Sequence, residues 1–351
     1  MPDPAPLASD RHWTIALAVI ALVAFAVRLA ALLDLRSSLF LTTLIGDSLQ
    51  FDVLARRILA GEWADSGQYY QGALYPYFVA LVYGTLGDDP LAVRTVQAVL
   101  SSVACVLLAV AGARFFDRRA GLAAGLLMAL YPPAIFFDAL VQKSSPDLFF
   151  MALLLAALGA CLQRPTLAPL LLIGFSIGAL SWNRENARVL YPVILAWIFL
   201  YYRPSPISQR IRWGVLLTAG AAIVLVPVAV RNYTVSGEFF LTSSQSGPNF
   251  YIGNHAGASG GYAPLVPGRG DVEFERQDAI RMAEAASGRT LSPSEVSDYW
   301  WDRAFADIRK DPVGWLRLLA RKTWLTFAET EPVDTESIES YADYARVLRL
   351  H

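Results

Sequence analysis

The sequence is short of charge. Only 17% of its 351 residues are Asp, Glu, Lys or Arg, against about 25% in an ordinary soluble domain, and the deficit is concentrated in long apolar runs. It is short of cysteine as well. Cys105 and Cys161 both fall inside such runs, which excludes a disulfide framework and leaves each as a small packing residue. The three histidines, His12, His255 and His351, are scattered, so neither a histidine metal centre nor a Ser/His/Asp triad is expected. The sequence has no phosphate loop, no dinucleotide glycine fingerprint, no CxxC and no HExxH. A formal net charge of −1 offers no basis for a nucleic-acid partner.

What is present is hydrophobicity. The mean hydropathy is +0.41, and the apolar runs approach the ~20 residues that a membrane helix needs. An all-α polytopic membrane protein is therefore expected. A tail carrying Pro2, Pro4 and Pro6 precedes span 1, over about 13–33, which is too long for a signal-peptide core and is kept as an uncleaved span. Further spans are predicted over about 90–113, 120–137, 145–162 and 167–182, then up to Tyr202, and over 213–230. Asp89-Pro90 and Ser145-Pro146 read as a cap followed by a first helical residue. Arg11, Arg114/Arg118/Arg119, Arg164 and Arg203/Arg210/Arg212 fall on one side if the spans alternate. The positive-inside rule makes that side cytoplasmic, although Arg184 and Arg188 run against it locally. About seven spans thus make a membrane domain over 1–230, with a large first outer loop over 36–89. Within that loop the aromatic patch from Tyr69 to Leu86 is expected to dip into the membrane or lie along it.

Residues 231–351 read as an outer region: an irregular stretch to Gly270, a helix over 271–287, and a helix opened by the capping box Ser292-Pro293-Ser294-Glu295. A last helix starts at Asp311-Pro312. It carries Trp315, Leu316, Leu318, Leu319, Trp324 and Leu325, enough to lie on a membrane surface.

The polar residues are one-sided. Between the first two apolar runs lies the charged, amphipathic segment 46–63, and an acid so close to the end of a span is a functional candidate. Asp47, Asp52, Glu62, Lys143, Arg184, Glu185 and Arg231 all fall at outer helix ends. Arg and Lys there can hold a phosphate at the lipid–water boundary, and a carboxylate beside them can take a proton from an attacking hydroxyl. Each also has a structural reading. Asp47 with Gln50 fits a capping box, Arg56 and Arg57 a headgroup-facing pair, Lys143 a snorkelling side chain, Arg184 and Glu185 a mutual ion pair, and Arg231 a boundary anchor.

Arg231 to Phe239, Ser243 to Gly253 with Asn254, and Gly260-Gly261-Tyr262 together resemble the bacterial GT-C glycosyltransferases, the relatives of protein mannosyltransferases and aminoarabinose transferases. The run Asn249-Phe250-Tyr251-Ile252-Gly253-Asn254 is its most specific part. The likeness continues through 292–301, the Lys322 helix and Glu331-Pro332-Val333-Asp334, and Gly46-Asp47, Gln142-Lys143 and Arg184-Glu185-Asn186 fall where that group has comparable residues.

The resemblance implies a GT-C-type transmembrane bundle in a bacterial cytoplasmic membrane, with its active face periplasmic. It implies an inverting glycosyltransferase that moves a sugar from a polyprenyl-phosphate carrier to a glycan, lipid or protein acceptor. Asp47 would be the base, or would bind a divalent cation that orients the acceptor. Lys143, Arg184 and Arg231 would grip the phosphate, while Tyr70, Gln71, Asn249, Tyr251, Asn254 and Glu331 would line the sugar or acceptor cleft. His255 departs from the polar amide-type residue expected there. Relatives continue with further spans after the Glu331 region, whereas this chain ends at His351, which makes a truncated product or fragment an expectation. Two other classes stay open: a transporter or flippase, for which Arg28 is the main mid-membrane charge, and a non-catalytic relative.

Overall fold

The computed structural model describes residues 11–63, 65–162, 165–328 and 335–349. Among them the regular structure is helical and contains no strand. The helices are α1 (Arg11–Leu35), α2 (Leu39–Thr42), α3 (Gly46–Leu59), α4 (Leu74–Leu86), α5 (Pro90–Phe115), α6 (Arg118–Ala129), α7 (Pro132–Ala139) and α8 (Ser144–Cys161). They continue with α9 (Leu167–Asn183), α10 (Leu190–Tyr201), α11 (Ile207–Ser236), α12 (Ser246–Asn254), α13 (Val272–Ser287), α14 (Pro293–Lys310), α15 (Pro312–Thr326) and α16 (Ile338–Ala342). The chain forms two compact units. One comprises Met1–Ala64, Gly72–Val228 and Ile338–His351, and the other Asp65–Gln71 and Ala229–Ser337. The expected division at residue 230 placed 65–71 with the first part of the chain and 338–351 with the second. The Pro-bearing tail over 1–10, Arg164 and Glu331 lie outside the described residues.

In the first unit α1, α5, α8 and α11 are long and apolar enough to cross a membrane, and α6 with α7, bent by 47°, makes a fifth span if the two are joined. The remaining two expected spans are α9, of 17 residues, and α10, of 12, both shorter than the ~20 residues of a full crossing. Small residues let these helices approach closely, as membrane helices require. A Cβ on Gly174 of α9 would stand 2.0 Å from the Leu217 carbonyl of α11, and one on Gly121 of α6 would stand 2.3 Å from the Ala109 carbonyl of α5. The aromatic patch forms α4 and is built into the core: Tyr75, Val79, Val82 and Tyr83 are buried with Phe51 and Ala55 of α3 and Val93 of α5.

Arg28 and Asp138 form a buried ion pair inside this unit. Arg28 Nε donates to Asp138 Oδ2 at 2.5 Å, and Nη1 donates to the carbonyls of Ala24 (3.1 Å) and Ala129 (3.2 Å). The other Asp138 oxygen accepts from Ser101 (2.6 Å) and Ser145 (2.5 Å). One carboxylate thus ties α1, α5, α7 and the start of α8 together. This also corrects the reading of Ser145 as a cap: α8 begins at Ser144, and the Ser145 hydroxyl is turned to Asp138. Arg28, the charge that kept a transport reading open, has a buried structural partner. The C-terminal segment completes the unit, with Tyr341, Ala342, Ala345 and Leu348 buried against Leu32 and Leu35 of α1 and Ile135 and Phe136 of α7.

The second unit is small and helical. Trp300 of α14 is fully buried against Ala279 and Ala283 of α13 and gives its indole N–H to the Ala279 carbonyl at 3.1 Å. The Ser292–Glu295 capping box forms as expected, and Asp311 caps α15 through the Gly314 N–H.

Candidate functional site

The site grows from three helix ends in the first unit. α3 buries Ser48, Phe51, Asp52 and Ala55 on one face, a spacing that leaves Asp47 half-buried beside that face. The N-cap of α3 is Ile45, with Asp47 inside the first turn, so the capping-box reading of Asp47 with Gln50 does not hold. A carboxylate in a first turn is favoured by the helix dipole. Asp47 nevertheless has neither a hydrogen bond nor an ion pair among the described residues.

Lys143 stands immediately before α8, its ammonium 5.9 Å from the centre of the Phe51 ring. It too has no ion pair among the described residues. Burial lowers its pKa, as does neighbouring Arg184, while Asp47, Asp147 and Glu185 raise it. Those influences place Asp47, Lys143, Arg184, Asp147 and Glu185 in one electrostatic neighbourhood.

The α9 end is stitched to the α8 start. Asn183 donates to the Lys143 carbonyl (3.1 Å) and to Asp147 Oδ1 (2.6 Å), and Arg184 Nε donates to Asp147 Oδ2 at 2.5 Å. Arg184 therefore pairs with Asp147, and Glu185 pairs with Arg188 at 3.1 Å; the expected mutual pair of Arg184 and Glu185 is not formed. Gly72 fits this junction because a Cβ there would stand 2.5 Å from the carbonyls of Trp182 and Asn183. Asp147 and Asn183 are site residues that the sequence reading missed. The signal for Asp147 was its position four residues past Lys143, one helical turn onto the same face.

Burial pushes the Glu185 carboxyl up to about 7, against the lowering effect of Arg188 and Lys143. The folded state thus favours the protonated form. This contribution to stability is complete below pH 4.5 and is lost as pH rises towards about 7. Glu185→Gln should flatten the dependence of the thermal midpoint on pH across that window, and an unchanged slope would contradict the assignment.

The other predicted site residues lie in the second unit. Arg231 donates to the carbonyls of Gly67 (2.6 Å) and Asp65 and stacks 4.1 Å over the Tyr69 ring. Its guanidinium holds the 65–71 segment, a task that competes with gripping phosphate. The same segment is held by Asn232, which accepts from the Tyr69 N–H at 3.1 Å, and by the Ser244 and Gln245 N–H groups. Tyr70 is buried, its hydroxyl donating to Glu275 at 3.3 Å, with its pKa raised by burial and by that carboxylate. Gln71 is half-buried. Asn254 is committed to structure: it accepts from the Trp315 indole at 3.0 Å and donates to the Phe250 carbonyl at 2.9 Å. Tyr251 is half-buried, packed on Trp300 and stacked on His255, while Asn249 is exposed. Among the described residues no three His, Cys, Asp or Glu side chains gather as a metal centre.

Residues 71–230 match the family described as dolichyl-phosphate-mannose-protein mannosyltransferase. The matched region contains Lys143, Asp147, Asn183 and Arg184 but not Asp47. Comparison with curated proteins gives no match. Among solved structures the chain is similar to the archaeal oligosaccharyltransferase AglB from Archaeoglobus fulgidus, determined with an inhibitory peptide and a dolichol-phosphate. The identity is 14% and the TM-score 0.47, over 97% of this chain and 39% of that one.

Proposed function

We propose that the protein is an inverting glycosyltransferase that takes a sugar from a polyprenyl-phosphate carrier and delivers it to an acceptor at the outer face of the cytoplasmic membrane. The observation that carries this reading is the Asp47 carboxylate in the same neighbourhood as the Lys143 ammonium, neither with an ion pair among the described residues, and Arg184 fixed beside them by Asp147. The matched family and the dolichol-phosphate bound to the archaeal enzyme make a lipid-linked phosphate the fitting donor. The basic turns at Arg114/Arg118/Arg119 and Arg203/Arg210/Arg212 support the outward orientation of the site.

In this mechanism Lys143 and Arg184 hold the donor phosphate at the head of α8, where the helix N-terminus adds positive potential. The acceptor oxygen or nitrogen attacks the anomeric carbon from the side opposite the phosphate. The bond from that carbon to the phosphate oxygen breaks, and its electron pair leaves with the phosphate. Asp47 takes the acceptor proton. The products are an acceptor carrying the sugar with inverted configuration and the free polyprenyl phosphate. The leaving phosphate is a weak base, so it needs cations and no proton donor.

One preorganised donor to developing negative charge is worth about 3 kcal/mol. Lys143→Met should therefore slow transfer in nanodiscs about a hundredfold. A Lys143→Met protein that works at the wild-type rate would remove Lys143 from the phosphate site.

A further inference from the structure

α15 has two apolar faces, and the second unit covers only one of them. On the inner face Trp315 gives its indole N–H to Asn254, Lys322 donates to the Gly253 carbonyl at 2.6 Å, and the Leu325 side chain lies against Gly260. On the opposite face Val313, Leu316, Trp324 and Phe327 are exposed, the last two by 75% and 83%. At 3.6 residues per turn these four and Ala320 share an arc of about 80°. Arg317 and Arg321, one turn apart, border that arc; both are exposed and have no hydrogen bond or ion pair among the described residues. Arg309 and Lys310 stand exposed just before the helix. From Pro312 to Ala328 there is no Asp or Glu.

We infer that α15 lies on the membrane, its apolar arc in the headgroup–acyl boundary and its arginines on anionic lipid phosphates. Three observations favour lipid over a protein partner. Val313, Leu316 and Ala320 are followed by Trp324 and Phe327 along a single stripe, the aromatic and aliphatic face of a helix that lies in the interface plane. The bordering cations have no acid among them, so the face is complementary to negative headgroups, each cation near such a surface adding attraction that salt screens. The chain also enters this unit through α11, a helix apolar enough to cross a bilayer, so the unit starts at a membrane face. Trp315 and Lys322 fix the helix from beneath, which keeps the arc turned outward. This inference does not depend on the glycosyltransferase reading.

The test uses the full chain in nanodiscs of phosphatidylglycerol with phosphatidylcholine, or of phosphatidylcholine alone, with a spin label on Trp324→Cys. Ala286→Cys, an exposed position on α13, serves as the aqueous control; Cys105 and Cys161 are buried. In the anionic bilayer, collision of the 324 label with oxygen should exceed collision with a water-soluble nickel chelate several-fold, while the 286 label shows the reverse. Arg317→Gln with Arg321→Gln, high salt, or phosphatidylcholine alone should lower the ratio at 324 towards that at 286. A 324 label as water-exposed as 286 in the anionic bilayer would overturn the inference, as would one shielded from both reagents, which is the signature of a protein cover. A ratio indifferent to lipid charge would overturn the role of the arginines.

Discussion

Asp138→Ala should leave little folded protein in the membrane. Arg28 is 1% exposed and Asp138 3%, so truncating the acid strands a cation among apolar helices and frees the hydroxyls of Ser101 and Ser145. Breaking a buried pair by removing one partner costs about 3–5 kcal/mol, a large share of the ~5–15 kcal/mol that holds a typical domain together. The loss should appear as a collapsed monodisperse peak and a much lower thermal midpoint in detergent. The double variant Arg28→Leu, Asp138→Leu removes both charges and should recover most of the loss, because a buried ion pair is often no more stable than apolar side chains of similar volume. A single variant as stable as the wild type would show that the pair does not hold the helices. The consequence reaches the site, since Asp138 grips Ser145, two residues from Lys143.

Asp47→Asn should fold normally and lose catalysis. The carboxylate makes no hydrogen bond or ion pair with its surroundings among the described residues, so the amide, of the same shape, disturbs nothing that the fold needs. On the proposed mechanism what disappears is the proton acceptor, and general-base catalysis contributes about 10²–10⁴-fold. The fall should appear in kcat with little change in KM, because the lost interaction is made in the transition state. A fall in KM-dependent binding with kcat preserved would place Asp47 in donor binding instead.

Much of the fold was legible because its signals are local. The apolar runs that became α1, α5, α8 and α11 announce themselves by length, and Asp89, Ser292 and Asp311 announce helix starts through side chains that reach only two or three residues on. The features that were not legible depend on distant partners. Nothing near Tyr69 and Tyr70 says that their carbonyls accept from Ser244 and Gln245, or that Arg231 lies over Tyr69. Tyr341, Ala342, Ala345 and Leu348 form a short apolar face whose complement on α1 and α7 lies some two hundred residues away or more. In the candidate site, the sequence singles out Asp47, Lys143 and Arg184 as charges at helix ends. Asp147 and Asn183, which set the position of Arg184, were missed because their value lies in meeting each other across two helices. Arg28 was noticed as a mid-span charge, but the partner that such a charge requires could be identified as Asp138 only from the packing of α7 against α1.

The purified protein in nanodiscs, given a labelled polyprenyl-phosphate sugar together with an extract of the cell envelope, should convert the donor to bare polyprenyl phosphate and yield an acceptor bearing the label in inverted configuration, with Asp47→Asn and Lys143→Met each slower by two orders of magnitude or more. An intact donor after incubation with the wild type, or turnover that both variants match, would contradict the assignment of this helix-end cluster as a glycosyl-transfer site.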